Sequence, residues 1–246
     1  MEVARGNTNI EMAVATSSSD SSTNSEGSRT NSSVYSTCMK AVDVVNHILI
    51  IALTVFTLSY SLRSNSTVNL HATLCTLGYV LLMSEAIVAL AGDNVMMRSL
   101  THRARRHVHW VLQVLGAICT VTGVVLFYNV KQKHFRSTHA ILGITSVAVM
   151  LFLTVCGYPV FVAAKLRKVI RPVVIKFGHN FLGLSCFAIG MAAQCYGYKK
   201  YRTLNSPSIG VDIQLICIII VAVIAVLSNW IILVDNGYGY VKQLST

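Results

Sequence analysis

Six apolar stretches, near 44–62, 70–91, 108–129, 139–163, 177–198 and 212–234, dominate the chain. Crossing a hydrocarbon core of about 30 Å takes about 20 residues at a helical rise of about 1.5 Å each, and every stretch is long enough. With 54% hydrophobic and 12% charged residues and a mean hydropathy of +0.61, the chain is too apolar for a soluble domain of this size. The expected fold is all-α, a polytopic membrane protein with six transmembrane helices.

Residues 1–43 read differently. The run "TSSSDSSTNSEGSRTNSS" cannot bury enough apolar surface to offset its ordering entropy, so a disordered tail is expected there. No apolar core precedes Val44, which argues against a cleavable signal and for retention of the first run as a helix. The expected organisation is therefore a tail at 1–43, a six-helix membrane domain at 44–235 and a short tail at 236–246.

Basic residues set the orientation. Arg5, Arg29, Lys40, the arginines at 98, 103, 105 and 106, the basic cluster at 165–176 and Lys242 fall on one side; Arg63, Lys131, Lys133, Arg136, Lys199, Lys200 and Arg202 fall on the other. The denser side is the cytoplasmic one, which places both termini in the cytoplasm. The net charge of +11 is spread over short loops rather than one face, so lipid headgroups, not nucleic acid, are the expected contacts.

Four histidines stand near the starts of consecutive spans, each followed three residues later by leucine: "HATL" at 71, "HWVL" at 109, "HAIL" at 139 and "HNFL" at 179. Consecutive spans run in opposite directions, so His71 and His139 belong near the outer face and His109 and His179 near the cytoplasmic face. A facing pair of imidazoles in an apolar bundle suits the two axial positions of a flat metal macrocycle. Two pairs imply two haems, one per leaflet, in a central four-helix bundle. Gly143 and Gly183, four residues after their histidines, lie on the same helix face and give a ring room; Gly78 and Gly116 are expected to do so one turn further on. The seven cysteines show no CxxC or CxxCH, so the haem is expected to be non-covalent and the cysteines to be small buried hydrophobes. His47, His102 and His107 read as membrane-edge or loop residues, and His134 as an aid to a substrate on the outer side.

At these residues the chain resembles the cytochrome b561 family, through roughly residues 44–235 and most closely through "LLMSEAIV" at 81–88, "RSL" at 98–100 and "RRHVHWVLQVLG" at 105–116. The branch of cytochrome b561 domain-containing proteins is the best match. Many relatives carry proline after the first ligand, where Ala72 stands here. The resemblance implies haem b held by His71, His109, His139 and His179. It also implies one-electron transfer from cytosolic ascorbate to monodehydroascorbate or a ferric chelate across the membrane, in an endoplasmic reticulum or vesicle membrane, and a possible homodimer. Ascorbate is an anion, and Arg98, Arg105, Arg106 and Lys165 are the cytoplasmic residues expected to gather it, with Arg105 and Arg106 nearest His109. Lys131, Lys133, His134 and Arg136 are the outer counterparts. Glu85, about 21 Å of helix beyond His71, is expected to pair with Arg98 or Arg105.

The competing reading is a transporter in which the histidines bind a metal ion or protons without haem. Transporter sites usually lie near the midplane on broken helices, whereas these pairs lie toward opposite faces. A membrane scaffold, the third possibility, predicts that all four histidines tolerate replacement.

Overall fold

The computed structural model describes residues 34, 37–90, 96–161, 171–205, 219–220 and 223. Residues 1–42 and 43–246 form separate compact units, and the helix packing is that of the second. Among the described residues there are five long helices and no strand: α1 (Thr37–Ser61), α2 (Thr67–Val88), α3 (His102–Val130), α4 (Thr138–Phe161) and α5 (Pro172–Asn205). Each is long and apolar enough to cross a bilayer, so the chain is an integral membrane protein of several passes. Most of the stretch at 212–234, most of 1–43, all of 236–246, and Lys165 lie outside the described residues.

The helices extend past their apolar cores because local capping chemistry sets their ends. Ser66 caps α2, its Oγ accepting from the Asn69 N–H at 3.2 Å, and Thr101 caps α3, accepting from the Ala104 N–H at 3.3 Å; each satisfies one donor the helix leaves open. α5 begins on Pro172, a residue whose missing N–H and fixed φ suit the first helical position.

Polarity is arranged inside out. On α1, Val44, Val45, Ile48, Ile51 and Val55 face outward, as lipid demands, while Asp43, Asn46, His47, Thr54, Thr57 and Ser61 are buried against the protein. Hydrogen bonds join this face to α2, and α2 in turn to α5. The Thr73 hydroxyl donates to Ser61 Oγ at 2.7 Å, Tyr201 donates to Asn69 Oδ1 at 2.8 Å, and the Thr76 and Tyr198 hydroxyls bond each other. Between lipid-facing helices such bonds contribute about 0.6–2 kcal/mol each.

Two close approaches set the helix spacing. Gly78 of α2 faces Gly116 of α3: a Cβ on Gly78 would lie 2.8 Å from the Gly116 carbonyl oxygen, and one on Gly116 would lie 3.0 Å from that of Gly78. These glycines therefore let two backbones touch and do not clear space for a ring, contrary to the expectation from their spacing. On α5, Gly190 lies under the Tyr79 ring.

Residues Thr76–Met83 of α2 are π-helical, which the hydrophobic pattern gives no sign of. A π segment takes extra residues per turn and rotates the downstream residues relative to a continuous α-helix. Tyr79, at its centre, is turned into the gap between α4 and α5, where its hydroxyl bonds Ser146. Ser146 also donates to the Cys186 carbonyl at 3.0 Å. Tyr79 and Ser146 are 3% and 0% exposed, so the middle of the molecule holds a buried, hydrogen-bonded polar knot.

Candidate metal-ligand histidines and the cavity between them

His71 on α2 and His139 on α4 face each other with ring centroids 6.0 Å apart and planes at 85°. Two imidazoles sharing one metal at ~2 Å each, plus about 1 Å from nitrogen to ring centre on both sides, stand ~6 Å apart. The structure thus brings His71 and His139 together, as the alternation of helix direction predicts.

The other ring nitrogen of three of the four candidate histidines is committed to backbone. Nδ1–H donates to the Gly123 carbonyl from His71 at 2.9 Å, to Ala86 from His109 at 2.7 Å and to Ala193 from His139 at 2.8 Å. A carbonyl only accepts, so each Nδ1 carries the proton and each Nε2 presents a lone pair. This is the arrangement in which a histidine ligand is held in tautomer and orientation by a partner behind it. α2 and α3 exchange these bonds reciprocally, and α4 reaches α5 in the same way. His179 departs from the pattern: its Nδ1 is buried without a partner among the described residues, beside Gly157 of α4.

A cavity lies between α2, α3, α4 and α5 around the outer pair, lined by His71, His139, Tyr79, Phe127 and Gly143. Phe127 stacks on His71 with centroids 4.9 Å apart. A Cβ on Gly143 would meet nothing within 4 Å, so that position leaves open the space in the cavity expected of it; Gly183 is likewise uncrowded but does not line the cavity. Gly197 does the opposite and seats the His139 ring, whose Cε1 would lie 2.9 Å from a Cβ there. These features fit a flat group held between the two imidazoles.

One mouth of the cavity carries Lys131, His134, Lys200 and Tyr201. His134 is stacked on Tyr128 at 3.9 Å between centroids. The next residue, Phe135, has φ +54°, a left-handed conformation that a bulky side chain rarely adopts and that is often retained at functional sites. Arg136 is exposed and lies off the cavity lining. Lys200 and Tyr201 were not singled out from sequence, where they read as the basic end of a span.

On the opposite side, Arg105 lies one helical turn before His109, and Arg106 three residues before it. Their Nε groups bond the Met97 carbonyl at 3.0 Å and the His102 carbonyl at 3.3 Å. The first turn of α3 carries no acidic residue; arginines and the helix dipole add there to a positive potential that draws anions. Arg98 is exposed. Glu85 corrects the expectation made for it: its partner is His47 of α1, with Nδ1 to Oε2 at 2.7 Å. His47 is accordingly 6% exposed, not a membrane-edge residue.

Comparison with known proteins agrees with this arrangement. The family model for eukaryotic cytochrome b561 matches residues 70–205. The mouse protein "Transmembrane reductase CYB561D2" is 24% identical over 220 residues, 87% of this chain and 96% of its own length. The human protein of the same name is 24% identical over 222 residues, with the same two coverages. The mouse "Probable transmembrane reductase CYB561D1" is 22% identical over 118 residues, 46% of this chain and 52% of its own. Helices long and apolar enough to span a bilayer and a match over more than half the length converge: the chain belongs to the cytochrome b561 family, haem b-binding oxidoreductases that carry electrons across a membrane.

Proposed function

We propose that the chain moves single electrons from cytosolic ascorbate to monodehydroascorbate or a ferric chelate on the opposite side, with His109 and His179 holding an inner haem b and His71 and His139 an outer one. The observation that carries this reading is the 6.0 Å spacing of His71 and His139 with both Nδ1 atoms bound to carbonyls, so that both free lone pairs are available to one iron. Haem b supplies an iron that accepts and returns one electron. The carbonyl of Ala86 fixes His109 in the tautomer that ligates, those of Gly123 and Ala193 do so for the outer pair, and all three raise the basicity of the ligating nitrogen. Arg105 and Arg106, with Arg98 nearby in sequence and Lys165 from the later basic loop, gather the anionic donor; Lys131, His134 and Lys200 serve the acceptor, with Arg136 adding charge at the rim. Both termini then lie in the cytoplasm, in an endoplasmic reticulum or vesicle membrane, and a homodimer is compatible with this use.

Purified protein should show a visible b-type spectrum with about two haems per chain, reduced on adding ascorbate. Preparations that stay colourless after hemin supplementation overturn the reading.

The seat of His139 supplies a sharper check. A side chain at residue 197 would press on the ring, 3.1 Å from its Nδ1, and pull that nitrogen off Ala193. Gly197→Ala is expected to weaken haem retention at the outer site by about 10–100-fold while sparing the inner one, because loss of a ligand's supporting bond has that size of effect. Titration of hemin into the apo-protein, read by absorbance, measures it.

A further inference from the structure

Each imidazole of the cavity rests on a residue that is followed, one helical turn on, by a lysine. Phe127 of α3 stacks on His71, and Lys131, four residues later at the end of that helix, carries its ammonium 5.7 Å from the centre of the Phe127 ring. Gly197 of α5 seats the His139 ring, and Lys200 follows by three residues, on the same helix face. Both lysines line the cavity, at the mouth they share with His134 and Tyr201. Lys133 and Arg136, from the same loop as Lys131, do not line it.

These two charges are not balanced by protein. No aspartate or glutamate is among the described residues that line the cavity, and among the described residues neither ammonium pairs with a carboxylate. Deeper in the cavity the neutral donors are engaged. Tyr79 bonds Ser146, which donates onward to the Cys186 carbonyl; Tyr198 bonds Thr76; Gln194 Nε2 donates to the Cys75 carbonyl at 3.3 Å. Thr120 Oγ1 has no partner among the described residues, but it sits against the backbone of Gly78, 2.2 Å from where a Cβ there would lie. An ionised carboxylate placed among apolar walls without donors is strongly disfavoured. At the mouth it meets two ammoniums, each with three N–H donors.

We propose that Lys131 and Lys200 bind the two propionate carboxylates of the haem b held between His71 and His139, and so decide which edge of the ring faces the mouth. This rests on the haem reading of that pair. Haem b carries two carboxylates on one edge of an otherwise apolar disc, so two cations at one mouth of an apolar cavity match it in charge and in polarity. The lysines come from α3 and α5, whereas His71 and His139 come from α2 and α4; all four helices then grip one ring. Their aliphatic stems lie along apolar wall while the charged ends stay at the rim. Each ammonium keeps donors for an anionic acceptor arriving at the same mouth.

The test compares hemin with hemin dimethyl ester, whose carboxylates are masked. Both are titrated into the apo-form of full-length His109→Ala protein, so that the site of His71 and His139 is the one filled, and the ratio of their affinities is read by absorbance. Lys131→Met and Lys200→Met should each lower the affinity for hemin by about 3–30-fold without lowering that for the ester, and the double variant should lower the ratio further. Lys133→Met, off the cavity, should leave the ratio unchanged, and Lys200→Arg, which keeps the charge, should retain most of it. Added salt should lower the ratio in protein that keeps both lysines, a measurement that stands if a methionine variant fails to fold. A ratio unmoved by replacing both lysines, or unmoved by salt, overturns the proposal and leaves the haem reading intact. Failure of the His109→Ala protein to bind hemin at all would instead overturn that reading.

Discussion

His109→Ala and His139→Ala are each expected to leave about one haem per chain in place of about two, and to remove different centres. On the proposed pairing, a ring that two imidazoles would hold would lose one of its two bonds to the protein in either variant. Little of comparable strength secures it: the outer cavity is open beside Gly143, and its walls are mostly apolar. In His139→Ala the remaining imidazole, His71, keeps its orientation, because the carbonyl behind it belongs to a helix that does not carry the opposite ligand. Gly123 of α3 holds His71, and His139 is held from α5. Removing His139 therefore leaves His71 in place as a lone ligand, with a changed absorbance band for any ring it retains. Haem-to-protein ratios combined with potentiometric waves decide the matter. Loss of the same centre in both variants would refute the pairing of His71 with His139 and His109 with His179.

Membrane-crossing helices and ligand candidates were legible because each rests on a local rule. Apolar length fixes a span, and opposite running of consecutive spans sorts the histidines into two pairs without knowledge of their packing. Open space at Gly143 and Gly183 was likewise readable, since a residue four positions on shares the face of its histidine. The same rule failed at Gly78 and Gly116. Seven residues is also two turns, but whether a small residue faces a cavity or a neighbouring backbone is decided by which helix lies opposite. Glu85 failed for a related reason. Proximity in sequence to an arginine-rich loop suggested an arginine partner, whereas its partner comes from α1, 38 residues away. A polar stripe on an otherwise apolar helix, Asp43, Asn46, His47, Thr54 and Thr57, was the available signal that α1 turns an inward face to the core. Nothing in the apolar run of α2 marks Thr76–Met83 as π-helical, since the hydrophobic pattern there is continuous on all faces.

Gly190→Val should be the most damaging single substitution in the membrane core that spares every ligand. A Cβ at that position falls within the Tyr79 ring and 2.8 Å from Ser146 Oγ. Tyr79 has nowhere to go, because it is almost wholly buried, its hydroxyl is bonded to Ser146, and the π segment fixes its backbone against α4 and α5. The clash must then be relieved by moving α5 away from α2, at a cost of about 1–3 kcal/mol for the first carbon and more for a branched side chain. His139 and His179 depend on the placement of α4 and α5, so both haems should be lost at a lower temperature, and together. Gly178, with nothing within 4 Å of a Cβ, is the control: Gly178→Ala is expected to be neutral or to stabilise by up to about 1 kcal/mol through helix propensity. Replacing the obstacle should rescue the variant. Gly190→Ala combined with Tyr79→Leu is expected to be more stable than the two single effects added, by about 0.5–3 kcal/mol, as for residues in direct contact. Thermal loss of haem absorbance in the four proteins of that cycle gives the coupling. Strict additivity would mean that α5 does not lie against Tyr79, and the central knot would have to be placed elsewhere.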